Sequence, residues 1–119
     1  MSAVRDGRPG PRKIAAFKTE VARWASRVGV EPKRVQVQRM TTKWASCSTS
    51  GRLCFSRELL AVDPRFQEIV IVHELLHLVV PNHGRLFRSL LTAYVPAWER
   101  IGGSRIARVC GQSPLPSGA

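Results

Sequence analysis

The run His73-Glu74-Leu75-Leu76-His77 constrains this chain more than any other part of its 119 residues. On a helix, residues four apart lie one turn apart on the same face, so both imidazoles leave together and can grip one metal ion. Glu74 then sits where its carboxylate reaches a water on that ion, the order that recurs in zinc hydrolases. Pro81 stops regular helix, because it has no amide hydrogen and its ring clashes with the preceding turn. The chain must turn there and can carry a third ligand back, and His83 is placed to be it. These three are all the histidines the protein has. A helix that is otherwise apolar does not carry two histidines and a glutamate without a partner for them, since burying an unpaired polar group costs roughly 2–7 kcal/mol. The residues point to a Zn(2+) centre with His73, His77 and His83 as ligands and Glu74 as the catalytic base.

The three histidines keep the intervals of the metzincin pattern, but Val80 stands at its glycine position and Pro81 follows. Both methionines, Met1 and Met40, precede the motif, so no Met-turn follows it. A distant glutamate as third ligand is the fallback, with Glu99 as its candidate. Cys47, Cys54 and Cys110 are odd in number and form no C-x-x-C pair, which reads as free thiols rather than a disulfide framework. Cys47 or Cys54 as a metal ligand is the alternative, although three histidines already fill the places a catalytic zinc needs.

The length suits one domain, in which bound metal would add to folding free energy. Residues 1–11 read as a flexible basic tail, 12–103 as the domain that holds the metal site, and 104–119 as a C-terminal tail. No apolar signal segment stands near Met1, and the longest apolar run is broken by His73, Glu74 and His77, so a cytoplasmic protein without a membrane span is expected. The net charge of +11 favours acidic partners, and nucleic acid is one possibility, though no nucleic-acid-binding motif accompanies it.

From Arg12 to Val28, Ile14, Phe17, Val21, Trp24, Ala25 and Val28 form the stripe of an amphipathic helix that Gly29 closes. Alternation over Arg34–Met40 reads as a strand with Val35, Val37 and Arg39 on one face. A second strand runs through Lys43 and Trp44, Ser46 to Gly51 form a polar turn, and Arg52–Ser56 makes a third strand. Together they read as an antiparallel sheet of two or three strands. Asp63 caps and Pro64 starts the metal-binding helix, expected to run to Val79. Ile69-Val70-Ile71-Val72 favours strand by propensity, but only a helix brings His73 and His77 together. Another helix follows from Gly84 to Tyr94, and Pro96 restarts a short one through Trp98 and Arg100.

With these segments in place the chain resembles the YgjP-like zinc metallopeptidases, small domains of the zincin type. The resemblance runs from about Gln38 to Arg100. It rests on Lys43-Trp44-Ala45-Ser46-Cys47-Ser48, on Gly51-Arg52-Leu53 with Phe55, on Val72-His73-Glu74-Leu75-Leu76-His77-Leu78, and on Asn82-His83-Gly84 with Phe87. Two separated motifs in the right order are far more specific than His-Glu-x-x-His alone. It implies an α+β zincin-like fold, zinc on His73, His77 and His83, and Glu74 as the catalytic glutamate. Ala45 departs from the family's glycine, Gly84 stands where serine is common, and little of the family's N-terminal region is present. A weaker likeness to SprT-like proteases, which act on proteins at DNA, implies a use for the positive charge.

The expected reaction is peptide hydrolysis by a metal-activated water, on a peptide or protein substrate. Arg52, Leu53, Cys54 and Phe55 are the expected substrate-binding edge, because zincin clefts take substrate as an added strand. Asn82, Arg85, Arg88 and Tyr94 are the candidates for an oxyanion donor, with solvent-facing arginines and a core tyrosine as the more ordinary roles. Trp44 reads as core. Competing readings are a metal-dependent nucleotide phosphohydrolase, for which the phosphate-cradling glycine loop is missing, and a non-catalytic zinc module that binds nucleic acid.

Overall fold

The computed structural model describes residues 10–103 and Arg105. The two expected tails, and Cys110 with them, lie outside the described residues apart from the edges of those segments. The element order is α1 (Pro11–Val28), β1 (Arg34–Gln38), β2 (Ala45–Cys47), β3 (Arg52–Ser56), a 3-10 turn (Arg57–Ala61), α2 (Pro64–Leu76), α3 (Arg85–Tyr94) and α4 (Trp98–Gly102). This is the α+β class expected. Among the described residues no helix is long and apolar enough to cross a membrane.

α2 is the centre of the molecule. Every residue from Ile69 to Leu76 is buried, because α1, the sheet side and the two C-terminal helices cover it from all round. That burial overrides the strand propensity of Ile69–Val72. The Asp63 carboxylate accepts a hydrogen bond from Phe66 N at 3.0 Å, and Pro64 occupies the first turn. The Arg105 guanidinium bonds the same carboxylate at 3.0 Å and holds it below its ordinary range. Asp63→Ala is expected to lower stability by about 1 kcal/mol, read as a shift in the urea midpoint; no shift would mean that the cap contributes nothing.

At its far end α2 stops at Leu76, three residues short of the expected Val79. Leu78 N and Val79 N bond to the carbonyls three residues back, Leu75 O and Leu76 O, tightening the last turn. Pro81 explains the early stop, since the residue before a proline is pushed out of the helical region.

The sheet corrects the expectation of purely antiparallel strands. Its order is β1-β3-β2. β2 and β3 form an antiparallel hairpin, Ala45 opposite Phe55 and Cys47 opposite Leu53, closed by a turn in which Gly51 has φ 94°. β1 instead lies parallel to β3, with Val35 beside Leu53 and Val37 beside Phe55. The whole segment Arg39–Gly51, β2 included, serves as the long connection that parallel pairing requires. β3 takes the middle because Leu53 and Phe55 are its fully buried apolar residues, and a central strand covers them from both sides. β2 begins at Ala45, after the expected Lys43 and Trp44, and Arg39 lies exposed beyond β1.

α1 closes the other side. Phe17, Val21, Trp24 and Ala25 are buried, Phe17 meets Phe55 edge-on with ring centroids 5.0 Å apart, and Trp24 meets Tyr94 at 6.4 Å. Gly29, at φ 85°, ends the helix in the left-handed region, its N–H donating to Ala25 O.

Candidate metal centre

α2 delivers His73 and Glu74 from its last full turn and His77 from its C-cap position. The chain then turns at Pro81, and the Asn82 side chain accepts a hydrogen bond from Gly84 N at 3.2 Å, shaping the loop that returns His83. One donor atom from each of His73, His77 and His83 falls within 4.8 Å of the other two. His77 Nε2 and His83 Nε2 are 2.9 Å apart.

Beneath this cluster lies a residue that carries part of the family likeness, beside Asn82-His83-Gly84, but for which the sequence alone suggests no role in the site. The buried ring of Phe87, on α3, lies 4.9 Å from His73, 4.8 Å from His77 and 5.0 Å from His83. It is the common floor of the three imidazoles. Its place four residues after His83 is a further sign, although His83 itself lies in the loop before α3.

Burial lowers His73 to a pKa of about 4. His77 also falls to about 4, from burial first and then from the neighbouring His73, and His83 is lowered by the same two causes. All three rings are therefore neutral at pH 7 with lone pairs available, as metal ligation requires. His73 Nδ1 is buried and makes no hydrogen bond among the described residues. A neutral three-imidazole donor set, His73 buried, His77 half-buried and His83 exposed, fits a divalent transition ion that keeps an open side. The Glu74 carboxylate, fully buried, approaches His73 Nδ1 at 3.6 Å; with His73 neutral this is a polar contact and not an ion pair.

These shifts carry a pH prediction for the metal-free protein. The folded chain resists protonation of His73 and His77 down to about pH 4, whereas the unfolded chain takes protons up from about 6.5. The unfolded state therefore binds more protons in that window, and stability falls as pH drops through it. Melting temperatures at pH 7 and pH 5 should differ in that direction; equal values would contradict the burial of the rings.

Other expected positions resolve as follows. Glu99 is exposed, pairs with Arg88 at 3.1 Å and is not part of the histidine cluster, which removes the fallback ligand. Tyr94, half-buried against the core, packs on Trp24, and Trp44, buried in the core, packs on Phe66. Arg52, Leu53, Cys54 and Phe55 do not form a free edge: β3 is paired on both sides, and the Cys54 thiol faces Gln36 Oε1 at 3.8 Å. The edge reading is overturned because the most apolar strand was drawn into the middle of the sheet. Cys47, on the outer strand β2, lies near the centre, its thiol raised to about 11 by burial and by the Glu74 charge.

No curated protein matches the sequence. Solved structures that share its fold include the crystal structure of the metallopeptidase zymogen of Pyrococcus abyssi abylysin, with TM-score 0.66 and 17% identity, the match covering 76% of this chain and 91% of that one. The model of the family described as "YgjP-like, metallopeptidase domain" matches residues 12–103, which span α1 to α4, the sheet and all three histidines. The chain belongs to the YgjP-like metallopeptidases.

Proposed function

We propose that this protein is a zinc-dependent peptidase in which His73, His77 and His83 hold the ion and Glu74 is the general base. The observation that carries the reading is the convergence of three neutral imidazoles beside a fully buried carboxylate. When bound, zinc would supply Lewis acidity, lowering the pKa of a water from about 15.7 toward about 7 and polarising a carbonyl. Glu74 accepts a proton from the attacking water as the new C–O bond forms, then gives it to the departing amine nitrogen as the C–N bond breaks. The carboxylate ends the cycle as it began. Phe87 holds the imidazoles in place and keeps water from beneath them.

The substrate strand is assigned to β2 in place of β3. Trp44 O accepts from Ser56 N and Ser48 N donates to Arg52 O, so alternate residues of β2 turn their main-chain groups toward β3. Cys47, half-buried, turns its main-chain groups to the outer side, whereas Ala45 is fully buried and offers none. Among the described residues no strand pairs there. An extended peptide added along that side would lie beside Glu74, the neighbour of Cys47.

The test is cleavage of an unfolded protein by zinc-loaded and chelator-stripped enzyme in water enriched in ¹⁸O. The expected result is zinc-dependent cleavage with one labelled oxygen at each new C-terminus. Zinc binding without cleavage, or nucleotide hydrolysis in its place, would overturn the reading.

A further inference from the structure

Resting on the peptidase reading above, we propose that Arg85 and Arg88 form a carboxylate-binding subsite beside the metal centre, directing cleavage to peptides that carry a carboxylate close to the scissile bond. The feature is a wide, shallow depression of about 670 Å³ lined by His83, Gly84, Arg85, Arg88, Ser89 and Thr92. It therefore opens directly off one of the three imidazoles.

Its long wall is one stripe of α3. Arg85, Arg88, Ser89 and Thr92 share the spacing of a single helix face, while Phe87 and Leu91 point inward and are buried. The lining holds two guanidinium groups and no carboxylate. Arg85 is exposed and makes no ion pair among the described residues. Arg88 is steadied from behind. Its guanidinium lies 5.8 Å over the Trp98 ring, and Trp98 in turn donates to Thr92 Oγ1 at 2.9 Å.

Arg88 also shows what the subsite takes. Nη2 already holds a carboxylate oxygen, that of Glu99 at 3.1 Å, with both side chains well exposed, 60% and 66%. Exposed pairs of this kind are weak, so a substrate carboxylate arriving at this open face replaces Glu99 without leaving Arg88 unpaired. The guanidinium fork matches a carboxylate in two bonds, which fixes the substrate's register as well as its charge. A lysine at the same place is repelled, which adds discrimination against basic peptides. The carboxylate comes from an aspartate or glutamate side chain or from a free C-terminus, and the experiment separates the two.

The zinc-loaded natural protein and the Arg85→Ala, Arg88→Ala double variant are compared on peptides that differ only in Glu, Gln or Lys beside the scissile bond, each with a free or an amidated C-terminus. The expected ratio of kcat/KM for the carboxylate-bearing over the neutral peptide is roughly tenfold in the natural protein and close to one in the double variant. Glu99→Gln, which frees Arg88, should raise the ratio. A preference that persists in amidated peptides assigns a side chain; one confined to free acids assigns the terminus. A ratio near one in the natural protein, or one unchanged in the double variant, overturns the subsite.

Binding of the same labelled peptides to zinc-loaded Glu74→Gln, followed by fluorescence anisotropy, reads the subsite without turnover. Tighter binding of the acidic peptide that high salt and the double arginine substitution both abolish supports it, and equal binding of acidic and neutral peptides overturns it. Acid-selective binding together with no cleavage of any peptide by the natural protein would count against the peptidase reading and leave the subsite standing.

Discussion

Glu74→Gln is expected to remove peptide hydrolysis, lowering kcat/KM by roughly 10²–10⁴, and to leave the binding of one metal ion per chain intact. Glutamine keeps the size and polarity of the side chain but cannot take up the proton of the attacking water. Among the described residues no other carboxylate joins the histidine cluster, since Glu99 is exposed and outside it and Glu74 is the only acidic side chain among the buried residues described. The substitution has an independent signature in the metal-free protein. Part of the upward shift of the Cys47 thiol comes from the Glu74 charge, so its alkylation, followed peptide by peptide, should begin at lower pH in the variant. Retained hydrolysis would sink Glu74 as the base, and an unmoved Cys47 profile would contradict the closeness of the two groups.

Phe87→Ala should destabilise the protein by about 3–5 kcal/mol, a large part of the roughly 5–15 kcal/mol that such domains possess. The ring is 2% exposed, so its removal leaves a cavity that neighbours fill only in part. The melting temperature should fall by at least about 12 °C. The same change removes the floor from all three imidazoles, and metal affinity should drop by roughly 10–100-fold, as when other supporting contacts around a metal are lost. Phe87→Leu, which keeps most of the volume, should fall between the two. A melting temperature within a few degrees of the natural protein, with metal affinity intact, would show that the ring supports neither core nor site.

What could be read in the sequence is what local chemistry specifies. The cap at Asp63 and Pro64, the close of α1 at Gly29 and the same-face spacing of His73 and His77 each depend on a few neighbouring residues, and each element starts or ends where those residues put it. Strand order does not have that property. Alternation marks β1, but nothing local says that β3 lies between β1 and β2, or that β1 runs parallel to it. That follows from the burial of Leu53 and Phe55 against helices distant in the sequence. The substrate edge was misassigned for the same reason. α2 shows the opposite limit: it is buried on every face from Ile69 to Leu76, so it has no stripe there, and its propensity at Ile69–Val72 points to strand where the histidine spacing demands helix. The place of Phe87 beneath three rings needs α2, the returning loop and α3 together, and only the assembled structure brings them into contact.

The most direct test of the metal-site proposal is anomalous diffraction from crystals of zinc-loaded protein, supported by metal stoichiometry in solution. The expected result is one ion per chain, bonded to His73, His77 and His83, with the Glu74 carboxylate beside it and outside its ligand set. An ion held elsewhere, or coordinated by Cys47 or Glu99 in place of one of the histidines, would contradict it.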